Sequence, residues 1–135
     1  MQKPPVVAII NTSPDVVEML RIAFELAGIV AVSTYAHLIR SGAVDIEAFM
    51  RQHDPTVVLY DIAPPYPNNW LLFQHVVSLP SFQGKALVVT TTNKAQMDKL
   101  AAGSGFRLFE VIGTPYNLDE LVDEVRQAMR SRPTR

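Results

Sequence analysis

Apolar residues along this chain fall into two patterns that alternate from one end to the other. Continuous, largely β-branched runs occupy residues 6–10, 29–35, 56–60, 86–90 and 109–112, the second of them more polar at its end. Such runs are typical of strands buried on both faces, as in parallel sheets. Helical patterns occupy residues 14–27, 45–53, 70–79, 94–102 and 118–129. Residues 37–43 follow neither pattern clearly.

Polar residues mark where the predicted helices begin. Ser13 followed by Pro14 predicts the start of the first helix, with Ser13 as its N-cap. Asn117, with a glutamate three residues later, predicts a capping box before the last helix. Asn68 or Asn69 is expected to cap the helix at residues 70–79, whose apolar character on most sides predicts deep burial.

The alternation of five strands with five helices predicts the fold. It favours an α/β domain, with a doubly wound five-stranded parallel sheet of order 2-1-3-4-5 and helices on both faces. One domain over residues 1–135 is expected, with a core at about 5–130 and a short basic C-terminal tail. The switch point of this sheet lies between strands 1 and 3. It brings Asn11 and Thr12, which end the first strand, near Asp61, which ends the third.

Composition narrows the choice of partner and compartment. Apolar residues make up 48% of the chain and charged residues 19%, which predicts a folded globular protein. A net charge of −1 gives no attraction to nucleic acid or to membranes, and no segment has the length of a membrane span. The absence of cysteine excludes disulfides and thiol chemistry and fits the cytoplasm. We therefore expect a cytoplasmic protein without nucleic-acid or membrane partners.

Three segments together resemble the receiver domains of two-component response regulators. They are PTVVLYDIAPP (55–65), ALVVT (86–90) and GTPYNLDELVDEV (113–125). The resemblance extends over nearly the whole chain. It implies that Asp61 is the phospho-acceptor candidate, that Thr90 is the hydroxyl residue of the fourth strand, and that Pro115 follows a cis bond.

The departures from the family pattern fall on the chemistry of the site. Where the family carries an acidic pair after the first strand, this chain has Asn11 and Thr12. Thr114 replaces the lysine before the proline, and Val111 replaces the aromatic switch residue of the fifth strand. The segment at residues 103–108 is a few residues longer than the corresponding segment of the family. The resemblance therefore supports the fold and predicts a degenerate phosphorylation site.

Magnesium is the cofactor that the resemblance implies, and we expect it to bind weakly at most. One carboxylate with an amide and a hydroxyl is a poor Mg²⁺ site, so no resident metal is predicted; Asp61 and the backbone of Ala63 are weak candidate ligands. Because no second carboxylate adjoins Asp61, we expect nothing to raise its pKa. Asn11 and Thr12 are expected to donate hydrogen bonds to it.

Three classes of function remain open. The first is a stand-alone receiver-like signalling module, not an enzyme, which acts by protein contact with weak or absent phosphorylation of Asp61. The second is a working phospho-acceptor with an atypical site. The third is a small flavodoxin-like enzyme or ligand-binding domain, which would need a sizeable pocket with convergent polar groups. A nucleotide or flavin site at residues 11–13 is disfavoured because no glycine-rich loop is present.

The expected partner of a receiver-like module is a signalling kinase, an output protein or a second copy of the chain. The predicted surface comprises the fourth helix (94–102), the fifth strand (109–112) and the fifth helix (118–129). Phe106 or Phe109 is expected to be partly exposed there.

Overall fold

Residues 4–104 and 108–130 are described by the computed structural model. The elements in chain order are β1 (Val6–Asn11), α1 (Pro14–Leu26), β2 (Val30–Tyr35), α2 (Ala36–Ser41), α3 (Ile46–His53), β3 (Val57–Ile62), α4 (Tyr66–Val77), a 3-10 turn (Pro80–Phe82), β4 (Ala86–Thr91), α5 (Lys94–Ser104), β5 (Glu110–Gly113) and α6 (Leu118–Arg130). Among these, no helix has the length and apolar character needed to cross a membrane.

All five strands pair in parallel in the order β2-β1-β3-β4-β5, which confirms the predicted fold class. The register aligns Ile10 with Tyr60 and Asp61 with Thr90, so the polar strand ends share one edge of the sheet. This carboxyl edge is where ligands and chemistry are found in open α/β sheets.

Alternate strand residues enter two separate cores, because successive side chains of a strand point to opposite faces. One core lies under α1 and α6, and its strand residues include Val7, Ile9, Val57, Leu59 and Val88. The other core lies under α2, α3, α4 and α5, and its strand residues include Ala8, Ile10, Val58, Tyr60 and Val89. Both faces of the sheet are therefore covered, which explains why the strands are apolar throughout.

The helix after β3 differs from its prediction in both its start and its burial. It begins at Tyr66 rather than at residue 70, and no side chain caps it. Pro67 lies in the first turn, where proline fits because the N–H that it lacks has no helical partner there. Asn69 is therefore inside the helix and free for another role. Leu71 is 65% exposed, so the burial of this helix is one-sided.

The other capping predictions are confirmed. The backbone N–H of Val16 donates to Ser13 Oγ at 3.3 Å, and the N–H of Glu120 donates to Asn117 Oδ1 at 3.1 Å. The segment at 37–43 forms most of α2. Residues 105–107, which include Phe106, lie outside the described residues. Phe109 is half-buried against the core under α1 and α6.

Candidate functional site

Asp61 and Thr90 form the centre of the candidate site. They are paired residues on β3 and β4, and Thr90 Oγ1 donates a hydrogen bond to Asp61 Oδ1 at 2.7 Å. Thr90 is 2% exposed, whereas Asp61 is half-buried at the end of its strand. Their contact follows directly from the register of two neighbouring parallel strands.

The environment of Asp61 raises its pKa, which corrects the prediction from the sequence. Burial is the larger influence and raises the pKa of the carboxyl group above its ordinary value, while the hydrogen bond from Thr90 lowers it. Burial also raises the pKa of the Tyr116 hydroxyl, and the negative charge of Asp61 raises it further. No second carboxylate is needed for this shift, because desolvation of Asp61 by the surrounding fold causes it.

Asn11 lies at the same edge but is turned towards its own loop. It is 5% exposed, and its Oδ1 accepts hydrogen bonds from the backbone N–H groups of Thr12 (2.7 Å) and Ser13 (3.1 Å). The side chain thus holds the turn that leads from β1 into α1. Neither Asn11 nor Thr12 donates to Asp61 within residues 4–104 and 108–130, contrary to the expectation. Thr12 and Asp61 nevertheless line one cavity.

Thr114 and Pro115 follow β5 at the same edge of the sheet. The Thr114 N–H donates to the carbonyl oxygen of Thr91 at 2.7 Å, which continues the pairing of β4 and β5 by one residue. The Thr114–Pro115 peptide bond is cis, as the resemblance implies. A second cis bond joins Pro64 to Pro65 and was not predicted.

The carbonyl of Ala63 belongs to a hydrogen-bonded chain that the sequence did not reveal. Asn69 Nδ2 donates to the Ala63 oxygen at 2.6 Å, and an Arg40 guanidinium N–H donates to Asn69 Oδ1 at 2.6 Å. Arg40 on α2 thereby fixes the amide of Asn69 on α4, which holds the loop after Asp61. These residues are 29 positions apart, and neither belongs to a motif that would have identified the pair.

The donor set at this edge does not fit a magnesium ion. Asp61 supplies one carboxylate, while Asn11 Oδ1 and the Ala63 carbonyl oxygen already accept internal hydrogen bonds. Among the described residues, no cluster of three or more His, Cys, Asp or Glu side chains has metal-binding geometry. A hard divalent cation that keeps most of its water needs more negative charge than this.

Two hydroxyl groups connect the loops on either side of Asp61. Tyr66, at the start of α4, and Thr92, just after β4, share a short hydrogen bond between their side chains. This contact ties the loop between β4 and α5 to the first turn of α4. We refer to the Tyr66–Thr92 contact as the loop latch.

A cavity of about 610 Å³ lies beside Asp61, between α2 and α4. Its polar lining includes Thr12, Arg40, Tyr60 and Asp61. The hydroxyl of Tyr60 is buried and has no hydrogen-bond partner among the described residues. Burial raises the pKa of this hydroxyl, and the positive charge of Arg40 opposes the shift. The cavity has the size of a small-molecule site.

Comparison with solved structures identifies the fold. A sensor protein from Polaromonas sp. JS666 matches with a TM-score of 0.74 and 14% identity, over 93% of this chain and 96% of that one. A response regulator from Thermotoga maritima matches with a TM-score of 0.71 and 18% identity, over 96% and 100% of the two chains. A histidine kinase receiver domain from Clostridium thermocellum matches with a TM-score of 0.72 and 19% identity, over 93% and 98%.

No protein-family model and no curated protein matches the sequence. The three structural matches described above, each below 20% identity, establish the fold: it is that of the receiver domains of two-component signalling proteins.

Proposed function

With the receiver fold as premise, we propose that this chain is a cytoplasmic signalling module that acts by protein contact, with weak or absent phosphorylation of Asp61. The observation that carries the proposal is the state of the oxygen atoms around Asp61. Phosphoryl transfer to a carboxylate needs a cation to neutralise the developing charge. The Ala63 oxygen and Asn11 Oδ1 are both engaged in internal hydrogen bonds, and Thr114 carries no charge.

The residues that would respond to a phosphoryl group also support a module that rests in one state. Thr90 is already hydrogen-bonded to Asp61, so its hydroxyl has no inward movement left to make. Val111 is buried against the core and offers no aromatic ring to rotate. The loop latch holds the segment after Thr90 to α4. A ligand shifts a conformational equilibrium only when its affinities for the two states differ. These contacts favour a single state, so a phosphoryl group has no second state to stabilise.

The surface formed by α5, β5 and α6 remains our proposed contact for a signalling kinase, an output protein or a second copy. β5 is the edge strand of the sheet and is not paired on its outer side within the described residues. A groove of about 350 Å³ runs along it, lined by Lys94, Glu110, Tyr116 and Glu124 among others. Asp123 and Arg126 are also on α6, but they line a different groove, between α6 and α1, and so lie away from the proposed surface. Variants at Glu124 therefore probe the proposed surface.

Phosphodonor labelling tests the chemical half of the proposal. The protein is incubated with acetyl phosphate and millimolar Mg²⁺, and its intact mass is recorded. We expect no stoichiometric gain of a phosphoryl group, because the cation that labelling requires has no site. Stoichiometric labelling that is lost in Asp61→Asn would establish the second class, a working phospho-acceptor.

Partner affinity tests the other half. The partner is isolated by its binding to the wild-type chain, and self-association of the chain is measured by sedimentation. The affinity of the partner for each variant is then compared with its affinity for the wild type. Asp61→Asn and Asp61→Ala should change the affinity by less than about threefold, or ~0.7 kcal/mol. Glu124→Lys should weaken binding by about tenfold or more, while the charge reversal Glu18→Lys on α1 serves as the matched control. Loss of binding in folded Asp61 variants would show that Asp61 is the switch and would end the proposal.

A further inference from the structure

The cavity beside Asp61 is lined by two side chains of opposite charge that lack an ion-pair partner. Arg40 and Asp61 both line it, and neither forms a salt bridge within the described residues, with each other or with another side chain. Ion pairs elsewhere on α1, α3, α5 and α6 join side chains one turn apart on the same helix. The guanidinium group of Arg40 and the carboxylate of Asp61 instead border one cavity, where both charges are available to a ligand.

Arg40 is held in place without being neutralised. One of its guanidinium N–H groups donates to Asn69 Oδ1 at 2.6 Å, and Asn69 is itself fixed by its bond to the Ala63 carbonyl. A guanidinium has five N–H donors in a planar fork, which matches the two oxygens of a carboxylate. Arg40 thus remains able to bind a carboxylate while its direction is set by a neutral amide.

Asp61 and Tyr60 offer the complementary groups. Thr90 uses one hydrogen-bonding position of the Asp61 carboxylate, which has room for further donors such as an ammonium group. The Tyr60 side chain is 2% exposed and its hydroxyl is without a partner in the described part of the chain, which is unfavourable unless something else bonds to it. Ala36, Pro64 and Leu72 give the cavity an apolar wall.

We propose that this cavity binds a small zwitterion of the α-amino acid class, with its carboxylate on Arg40 and its ammonium group on Asp61. A simple anion would be repelled by the negative charge of Asp61, and a simple cation would be repelled by the positive charge of Arg40. A molecule that carries both charges can place each one beside the residue of opposite charge. The apolar wall accommodates a small side chain. The proposal goes beyond the signalling role and does not depend on which surface meets a partner.

Backbone NMR of the whole chain tests the proposal directly. The standard amino acids are added one at a time at roughly 10 mM, tenfold above a millimolar dissociation constant. Acetate, methylammonium and inorganic phosphate are the part-molecule probes. At least one amino acid should give saturable shifts of the Arg40, Tyr60, Asp61 and Ala63 amides. Acetate and methylammonium should each bind at least tenfold more weakly than that amino acid.

Variants then assign the two ends of the ligand. Arg40→Gln and Asp61→Asn should each weaken binding of that amino acid by at least tenfold. Arg51→Gln, at the opposite edge of the sheet, is the matched control and should leave the affinity unchanged. Unchanged spectra far from the cavity show that the variants are folded.

Each contrary outcome is distinct. Absence of shifts with every amino acid would overturn the proposal, and so would acetate binding as tightly as the best amino acid. Shifts with phosphate alone would replace it with an oxyanion site. These results are separate from those for the proposed function, since Asp61→Asn should weaken amino acid binding by at least tenfold while changing partner affinity by less than about threefold.

Discussion

Thr90 Oγ1 donates to Asp61 Oδ1 at 2.7 Å, across two neighbouring strands in register. This single bond opposes the effect of burial, which raises the pKa of Asp61. Thr90 therefore stabilises the ionised form of the carboxyl group in a place that disfavours it.

Removing that hydroxyl should move the titration of Asp61. In Thr90→Val the pKa of the Asp61 carboxyl group should rise above its wild-type value, because the opposing hydrogen bond is lost while burial remains. Thr90→Ser keeps a donor and should leave the pKa close to wild type. The measurement is the carboxyl ¹³C shift of Asp61 as a function of pH. A wild-type titration curve in Thr90→Val would show that the hydrogen bond is absent in solution.

Asp61 should also shape the pH dependence of stability. Its folded pKa lies above its ordinary value of 3.8, so the folded state binds more protons than the unfolded state between the two values. The Asp61 contribution to the free energy of unfolding therefore falls as pH rises from about 3.8 through the folded pKa, and is constant above it.

The Asp61→Asn variant lacks the titrating carboxyl group. The free energy of unfolding of this variant, relative to that of the wild type, should therefore increase as pH rises through the same window. Urea unfolding at several pH values measures the difference. A difference that stays constant from acid to neutral pH would contradict the raised pKa.

Tyr60→Phe should stabilise the protein. The substitution removes a buried hydroxyl that has no partner among the described residues and keeps the ring, which packs edge-on against Phe73 at 4.9 Å. The expected gain in the free energy of unfolding is about 1 kcal/mol. Urea unfolding at neutral pH measures it, with Tyr35→Phe as the control at a half-buried tyrosine. A loss of stability instead would mean that the Tyr60 hydroxyl is hydrogen-bonded in solution.

The cap of the last helix should contribute measurably to stability. Asn117→Ala removes the acceptor for the Glu120 N–H and should lower the free energy of unfolding by about 1 kcal/mol. Gln127→Ala, at an exposed position within α6, is the control and should have an effect within about 0.5 kcal/mol. Equal effects of the two substitutions would show that Asn117 does not cap the helix.

Magnesium binding should be restorable by changing the oxygens that the site presents. The wild-type amides of Asn11 and Asp61 should not shift with Mg²⁺ at millimolar concentration, because one carboxylate carries too little charge. Asn11→Asp combined with Asn69→Ala adds a carboxylate and releases the Ala63 carbonyl. This double variant should bind Mg²⁺ at least tenfold more tightly, or ~1.4 kcal/mol. Saturating shifts in the wild type at sub-millimolar Mg²⁺ would refute the argument.

The sequence predicted what depends on local pattern and missed what depends on contacts between distant elements. Apolar runs such as residues 86–90 can be buried only in a sheet covered on both faces, so the strands and their order followed from them. Asp61 was identified because it follows such a run, and Thr90 because its segment resembles the fourth strand of the receiver family. Arg40 and Asn69 were missed because their hydrogen bond joins α2 to α4, and α2 itself had no clear pattern.

The pKa of Asp61 was missed for a related reason. Its shift comes from the depth to which the surrounding elements bury the carboxyl group, and depth is a property of the assembled fold. The predicted start of α4 at residue 70 is too late because Pro67 lies within the helix, in the first turn, where proline fits.

The turn after β1 has a consequence for how this site changes over generations. Asn11 Oδ1 accepts two backbone N–H groups there, and an aspartate oxygen accepts the same two bonds. Exchange between the amide and the acid therefore leaves the turn intact while it removes or restores a negative charge beside Asp61. The cost of the exchange is electrostatic, because position 11 is 5% exposed and an aspartate there would be a second carboxylate buried near Asp61. One position therefore separates two properties of the site: either residue can hold the turn, and only the acid adds charge.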